Sequence, residues 1–208
     1  MGKLRRVIIV HGWNDSPQNA WIEWLGTELA RRGFEVVTPE LPNPKLPNLE
    51  KWIQTLQASV GELNEGTTIV TYSLGTPTTL RLLSDYVPEI RIAGLVTVAG
   101  FGDGIAERPG VLFDPPIDFD RIRRRVRRRV AIYSDNDIVV RPARSQNLAQ
   151  QLRAKEVVVM GAGHFLGKKP FPSYIERLDP ALEAVLSCYP RTLRERLWQL
   201  GRSLQRGN

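Results

Sequence analysis

A three-layer α/β/α sandwich around a mainly parallel, six-stranded sheet is the fold class this sequence predicts. Strand-length apolar runs alternate with helix-length amphipathic segments along most of the chain. Those runs are continuously apolar, as strands covered on both faces require. The 208 residues amount to about one large domain, at roughly 100–200 residues each. No linker or fixed-period repeat divides them, so a single domain over 1–208 is expected.

The elements follow in order. Val7–Val10 is a short β-branched run ending at His11-Gly12, a buried strand. Between Pro17 and Arg32, Trp21, Trp24, Leu25 and Leu29 fall on one helix face, and Gly33 is placed to cap it. Phe34–Thr38 is the second strand. The Pro-rich turn Pro39–Pro47 leads to a helix with Leu49, Trp52, Ile53, Leu56, Val60 and Leu63 on its core side. Thr67–Tyr72 is the third strand, a helix runs from Leu74 to about Tyr86, and Ile92–Ala99 is the fourth strand.

Phe101 to Asp120, rich in Gly, Pro and Asp, reads as an irregular loop. Arg121–Arg129 holds seven arginines around an i, i+4, i+8 row of Ile122, Val126 and Val130, which predicts a helix with a basic face. Val130–Ser134 is then the fifth strand, Pro142 opens a helix, and Glu156–Met160 is the sixth strand. Ser173–Glu176 and Thr192–Glu195 carry capping-box spacing, and Asp179-Pro180 is a further helix start. Residues 190–208 form a C-terminal amphipathic helical extension with Leu193, Leu197, Leu200 and Leu204 on one face, a surface for docking on the body or for pairing as a homodimer.

Composition narrows the function classes. Hydrophobic residues at 42% with 25% charged are globular values and exclude wholesale disorder. One cysteine, Cys188, and two histidines, His11 and His164, are too few for a conventional zinc site, so no metal or cofactor is expected. The apolar run after the basic start is far too short for an export core, and no stretch approaches a membrane span. A cytoplasmic location is expected. The net charge of +7 is concentrated in Arg121–Arg129 and in the last twenty residues, and a solvated basic face is its default reading. Nucleic acid is not an expected partner.

Chemistry concentrates at the C-terminal ends of the strands. The third strand runs into Thr71-Tyr72-Ser73-Leu74-Gly75 and then a helix. A serine on so sharp a turn is pushed out above the sheet beside unpaired helix amides, the arrangement of a nucleophile elbow. Such a serine needs a base. His164, in Gly161-Ala162-Gly163-His164-Phe165 after the last strand, and His11 after the first both fall at the same edge. The acid that orients the imidazole is Asp135 or Asp137, in the loop after the fifth strand.

Val10-His11-Gly12-Trp13, Ser73-Leu74-Gly75, Ser134-Asp135-Asn136-Asp137 and Gly163-His164-Phe165 together resemble the small α/β hydrolases of the retinoblastoma-binding-protein-9-like and YdeN-like type. The likeness spans roughly residues 4–170, with Thr71 standing where the usual motif has glycine. It implies a minimal α/β-hydrolase fold without a large cap domain. It also implies a triad of Ser73, Asp137 and His164, with Asp135 a structural neighbour and His11 structural. The backbone N–H groups of Trp13 and Leu74 would form the oxyanion hole.

The expected activity is that of a serine hydrolase, a carboxylic-ester hydrolase acting through an acyl-enzyme. Its partner would be a small-molecule acyl substrate: an ester, thioester or amide. Trp13, Phe101, Phe113 and Phe165, with Leu112 and Phe119 nearby, are the expected pocket or lid. The alternative is a non-catalytic binding protein on the same scaffold, using Arg121–Arg129 for an acidic partner or nucleic acid.

Overall fold

A computed structural model describes residues 5–86, 90–102, 116–167 and 174–190, with Tyr86 described by its backbone alone. Six parallel strands form one sheet: β1 Arg6–Val10, β2 Glu35–Val37, β3 Thr67–Tyr72, β4 Ile92–Val98, β5 Val126–Ser134 and β6 Lys155–Val159. Their spatial order is β2-β1-β3-β4-β5-β6. The helices are α1 Ala20–Ala30, α2 Leu49–Val60, α3 Gly75–Arg81, α4 Phe119–Arg125, α5 Pro142–Leu152 and α6 Asp179–Ser187. This is the expected α/β sandwich.

Alternation along the strands builds two cores. Ile8 and Val10 of β1 face one side of the sheet with Ile69 and Leu95, where Trp52 and Leu56 of α2, Leu80 of α3, Ile122 of α4 and Leu148 of α5 cover them. Val7 and Ile9 face the other with Val70, Val96 and Ile132, under Trp21, Leu25 and Leu29 of α1 and Val185 of α6. The central strands β3 and β4 are buried along their whole length. That is why they carry no alternation of apolar and charged residues, only buried threonines among the apolar ones.

Local signals account for several helix boundaries. Asn48 caps α2, its side chain accepting from the Lys51 amide at 2.9 Å. Pro142 occupies the first turn of α5. Gly33 follows α1 with φ +78°, and its amide donates to Ala30 O. The helix after β3 turns π-helical over Leu82–Tyr86.

Two expected helices are corrected. The arginine segment is not one helix: α4 ends at Arg125 and β5 begins at once at Val126. A spacing of four residues suits an ideal strand as well as a helix, and in β5 Val126 packs into the α2–α5 core while Val130 packs into the α1/α6 core. The edge of β4 decides between the two, because Ile92, Gly94 and Leu95 pair with Val126, Arg128 and Arg129. Arg125 is buried, whereas Arg124, Arg127 and Arg128 are exposed. A continuous basic helix face is therefore not formed between 121 and 129. Nor does a helix start at the Ser173–Glu176 signal: Tyr174 forms a bridge with Leu166, and the helix waits until Asp179. The predicted extension from 191 onward lies outside the described residues, and with it the homodimer surface.

Candidate active site

The strand order reverses between β1 and β3: the chain moves outward from β1 to β2, then returns to β3 and continues the other way. The loops leaving β1 and β3 diverge there, opening the crevice in which ligands of open α/β sheets bind. Ser73 leaves β3 at that point in a left-handed conformation, φ 47°. A non-glycine residue held there costs roughly 1–3 kcal/mol and needs surrounding structure to enforce it. The Ser73 amide donates to Val98 O at 3.0 Å, and the Thr76 amide donates to Ser73 O at 2.9 Å. Gly75 lets α3 start hard against β1: a Cβ there would stand 2.5 Å from His11 O and 2.8 Å from Val10 O.

Three side chains meet at this edge. His164 Nε2 lies 3.0 Å from Ser73 Oγ, and His164 Nδ1 lies 2.7 Å from Asp137 Oδ2. All three residues are buried. The second Asp137 oxygen accepts from the amides of Val139 and Val140 at 2.8 and 2.9 Å. That turn aims the carboxylate. Asp135 points elsewhere, its Oδ1 accepting from the Gly161 amide at 2.7 Å, while Asn136 Oδ1 accepts from the Gly163 amide at 2.8 Å. Asp135 and Asn136 thus tie the loop after β5 to the loop after β6, and Asp137 alone reaches the imidazole.

The other expected residues sort themselves by burial. His11 is structural in its contacts. Its Nε2 accepts from the Leu41 amide at 3.0 Å, Nδ1 lies 2.9 Å from Gly12 O, and its ring meets Trp52 edge-on. Trp13 is 41% exposed, with its indole N–H donating to Lys45 O at 3.0 Å. Phe101 is buried in the α2–α5 core, under the Arg144 guanidinium 4.6 Å from its ring centre. Phe165 is fully buried in the α1/α6 core. Both are packing residues in this arrangement rather than an exposed lid. Phe113 and Leu112 lie outside the described residues. Leu74, the cap residue of α3, follows the serine directly.

Two side chains to which the sequence assigned no part in the site also belong here. The Tyr72 phenol donates to His164 O at 2.6 Å, and the Trp21 indole N–H donates to Phe165 O at 3.0 Å. Burial pushes the Tyr72 phenol well above its ordinary pKa, with the negative charges of Asp15 and Asp137 adding to the shift. It remains a donor across the working pH range.

A model of the family described as serine hydrolase matches residues 7–179. The chain belongs to the serine hydrolase family. YdeN of Bacillus subtilis (strain 168) is 32% identical over 187 residues, covering 89% of this hydrolase and 96% of that protein. The crystal structure of the ydeN gene product superposes with a TM-score of 0.81 at 30% identity, over 88% of this chain and 98% of that one. A structure assigned to the α/β hydrolase superfamily, from Xanthomonas campestris pv. campestris, shares the fold with a TM-score of 0.58 at 17% identity, over 88% and 95%. The hydrolase is thus a YdeN-like α/β hydrolase, and its described residues contain no cap domain. Among them, no group of three or more His, Cys, Asp or Glu is placed to hold a metal ion, and no helix is long and apolar enough to cross a membrane.

Proposed function

We propose that this hydrolase cleaves small carboxylic esters, and the related thioesters and short amides, through a Ser73–His164–Asp137 triad. The observation that carries the reading is the unbroken pair of hydrogen bonds, 3.0 Å from Ser73 to His164 and 2.7 Å from His164 to Asp137. Both lie within the reach a nucleophile and its base require. Ser73 Oγ bonds to the acyl carbon while its proton passes to His164 Nε2, and the carbonyl π electrons move onto oxygen. The backbone N–H groups of Leu74 and Trp13 receive that oxyanion, each contributing a factor of about 10²–10³ in rate. Collapse breaks the bond to the leaving group, which takes the proton from Nε2. Water, deprotonated by the same nitrogen, then releases the acid and restores Ser73. Asp137 keeps Nδ1 protonated and balances the imidazolium.

Support for short acyl groups comes from the turn after β1, where a Cβ on Gly12 would stand 2.9 Å from Ser73 Cβ. The next residue, Trp13, is 41% exposed as an apolar wall. A cytoplasmic working compartment is part of the proposal, supported by the unpaired Cys188. The test is covalent labelling with a fluorophosphonate probe beside hydrolysis of p-nitrophenyl acetate, butyrate and palmitate. Ser73→Ala should lose both labelling and turnover, and wild type should favour acetate and butyrate. Labelling that persists in Ser73→Ala overturns the assignment.

A further inference from the structure

Gly161-Ala162-Gly163-His164-Phe165 is an unusual loop on which to mount a base. Gly161, Gly163 and Phe165 all have positive φ, at 70°, 55° and 53°. Phenylalanine does not hold that conformation unaided, and Asp135 and Asn136, which hold the Gly161 and Gly163 amides, do not reach the carbonyls of His164 and Phe165. Something outside the loop must hold it.

Two buried donors are in position to do so. Tyr72, 3% exposed, reaches His164 O, and Trp21, fully buried, reaches Phe165 O. The two aromatic rings pack edge-to-face at 5.5 Å, and the Tyr72 ring lies 5.3 Å from the imidazole. Tyr72 is also the residue before Ser73, held in register by its pairing with Val98 of β4. One side chain therefore fixes the base loop to the strand end that carries the nucleophile.

We propose that Tyr72 and Trp21 are positioning residues of the reaction, holding the consecutive carbonyls of His164 and Phe165 so that the imidazole stays aligned with Ser73. This rests on the triad reading. It assigns a catalytic consequence to two side chains that touch no reacting atom. Removing either donor leaves a buried carbonyl unsatisfied and lets the loop relax toward ordinary backbone angles. The displacement falls on the 3.0 Å gap between Nε2 and Oγ, and misplacement of about 1 Å in such a gap costs up to roughly 100-fold in rate. Substrate binding, which does not depend on that gap, should change little.

The experiment compares Tyr72→Phe, Trp21→Phe and the double variant with Val60→Ala, a core truncation in α2 on the opposite face of the sheet. Expected is a fall in kcat of about 10- to 100-fold for each single variant, with KM within twofold and a parallel slowing of fluorophosphonate labelling. The double variant should lose much less than the product of the two, since both donors hold one loop. Val60→Ala should lower the melting temperature while leaving kcat near wild type. The proposal is overturned if the two aromatic variants keep wild-type kcat and labelling rate, or lose no more than Val60→Ala does. Should Tyr72→Phe fail to fold, Trp21→Phe decides alone. Wild-type labelling in Tyr72→Phe sinks only the positioning role, whereas labelling in Ser73→Ala sinks the triad.

Discussion

The hydroxyls of Thr71 and Thr76 lie 2.9 Å apart, both fully buried, one at the end of β3 and the other in the first turn of α3. Thr71 stands where the usual elbow motif has glycine, so its side chain needs both space and a partner, and Thr76 supplies the partner. Thr71→Val should strand the Thr76 hydroxyl and lower stability by about 1–3 kcal/mol in urea melts. Labelling at Ser73 should survive, because the turn itself is held by backbone bonds. Unchanged stability would show that the hydroxyl pair contributes nothing to the elbow.

Asp135 and Asp137 sit two residues apart with separate tasks. Asp137→Asn keeps the turn that accepts from Val139 and Val140 but presents the wrong partner to Nδ1, so kcat should fall by about 10³–10⁴. Asp135→Asn retains an acceptor for Gly161 and should change kcat by less than tenfold, a small effect because a neutral amide still ties the two loops. Ester turnover at saturating substrate separates them. Equal losses would mean that the acid has been assigned to the wrong carboxylate.

Alkaline stability depends on a tyrosine far from the triad. Burial pushes the Tyr189 phenol up to about 12, and its oxygen bonds to the carbonyls of Arg6 and Gly66 as a donor. The unfolded chain releases this proton near the ordinary tyrosine value of about 10. Above that pH the unfolded state binds fewer protons than the folded one, so the stabilisation is complete below pH ~10 and is lost as pH rises to about 12. Urea midpoints should therefore fall across that interval, and Tyr189→Phe should make the slope shallower without abolishing it, because burial raises the Tyr72 phenol as well. An identical slope in the variant would rule Tyr189 out as the source.

A cavity of about 1140 Å³ lies away from the chemistry, lined by Arg5, Arg31, Arg128, Lys155 and Tyr189. None of the triad residues borders it. The reactive groups meet instead at the loop edge of the sheet, where the strand order reverses.

Most strands were legible in the residues because parallel strands covered on both sides hold no charged residue along their length, as in Thr67–Tyr72 and Ile92–Val98. The arginine segment was not legible. A spacing of four residues fits both a helix turn and two strand pleats, and only the pairing of Ile92 with Val126 chooses between them. Phe165 was misplaced for a related reason: an aromatic after a loop histidine reads as a pocket residue, and packing against α1 and α6 puts it in a core instead.

Linear order was sufficient to name Ser73, His164 and a carboxylate in the loop after β5, because parallel strands deliver all their C-terminal ends to one edge. It was also sufficient for the two-sided apolar pattern that builds the sheet. Three-dimensional packing decided the rest. Which aspartate turns toward the imidazole depends on the amides of Val139, Val140 and Gly161, whose directions no spacing records. That Tyr72 bonds to a carbonyl 92 positions away depends on where two loops close over one strand end. Burial and residue type act locally and leave a trace in the chain. Hydrogen-bond direction between distant segments exists only once the segments have met.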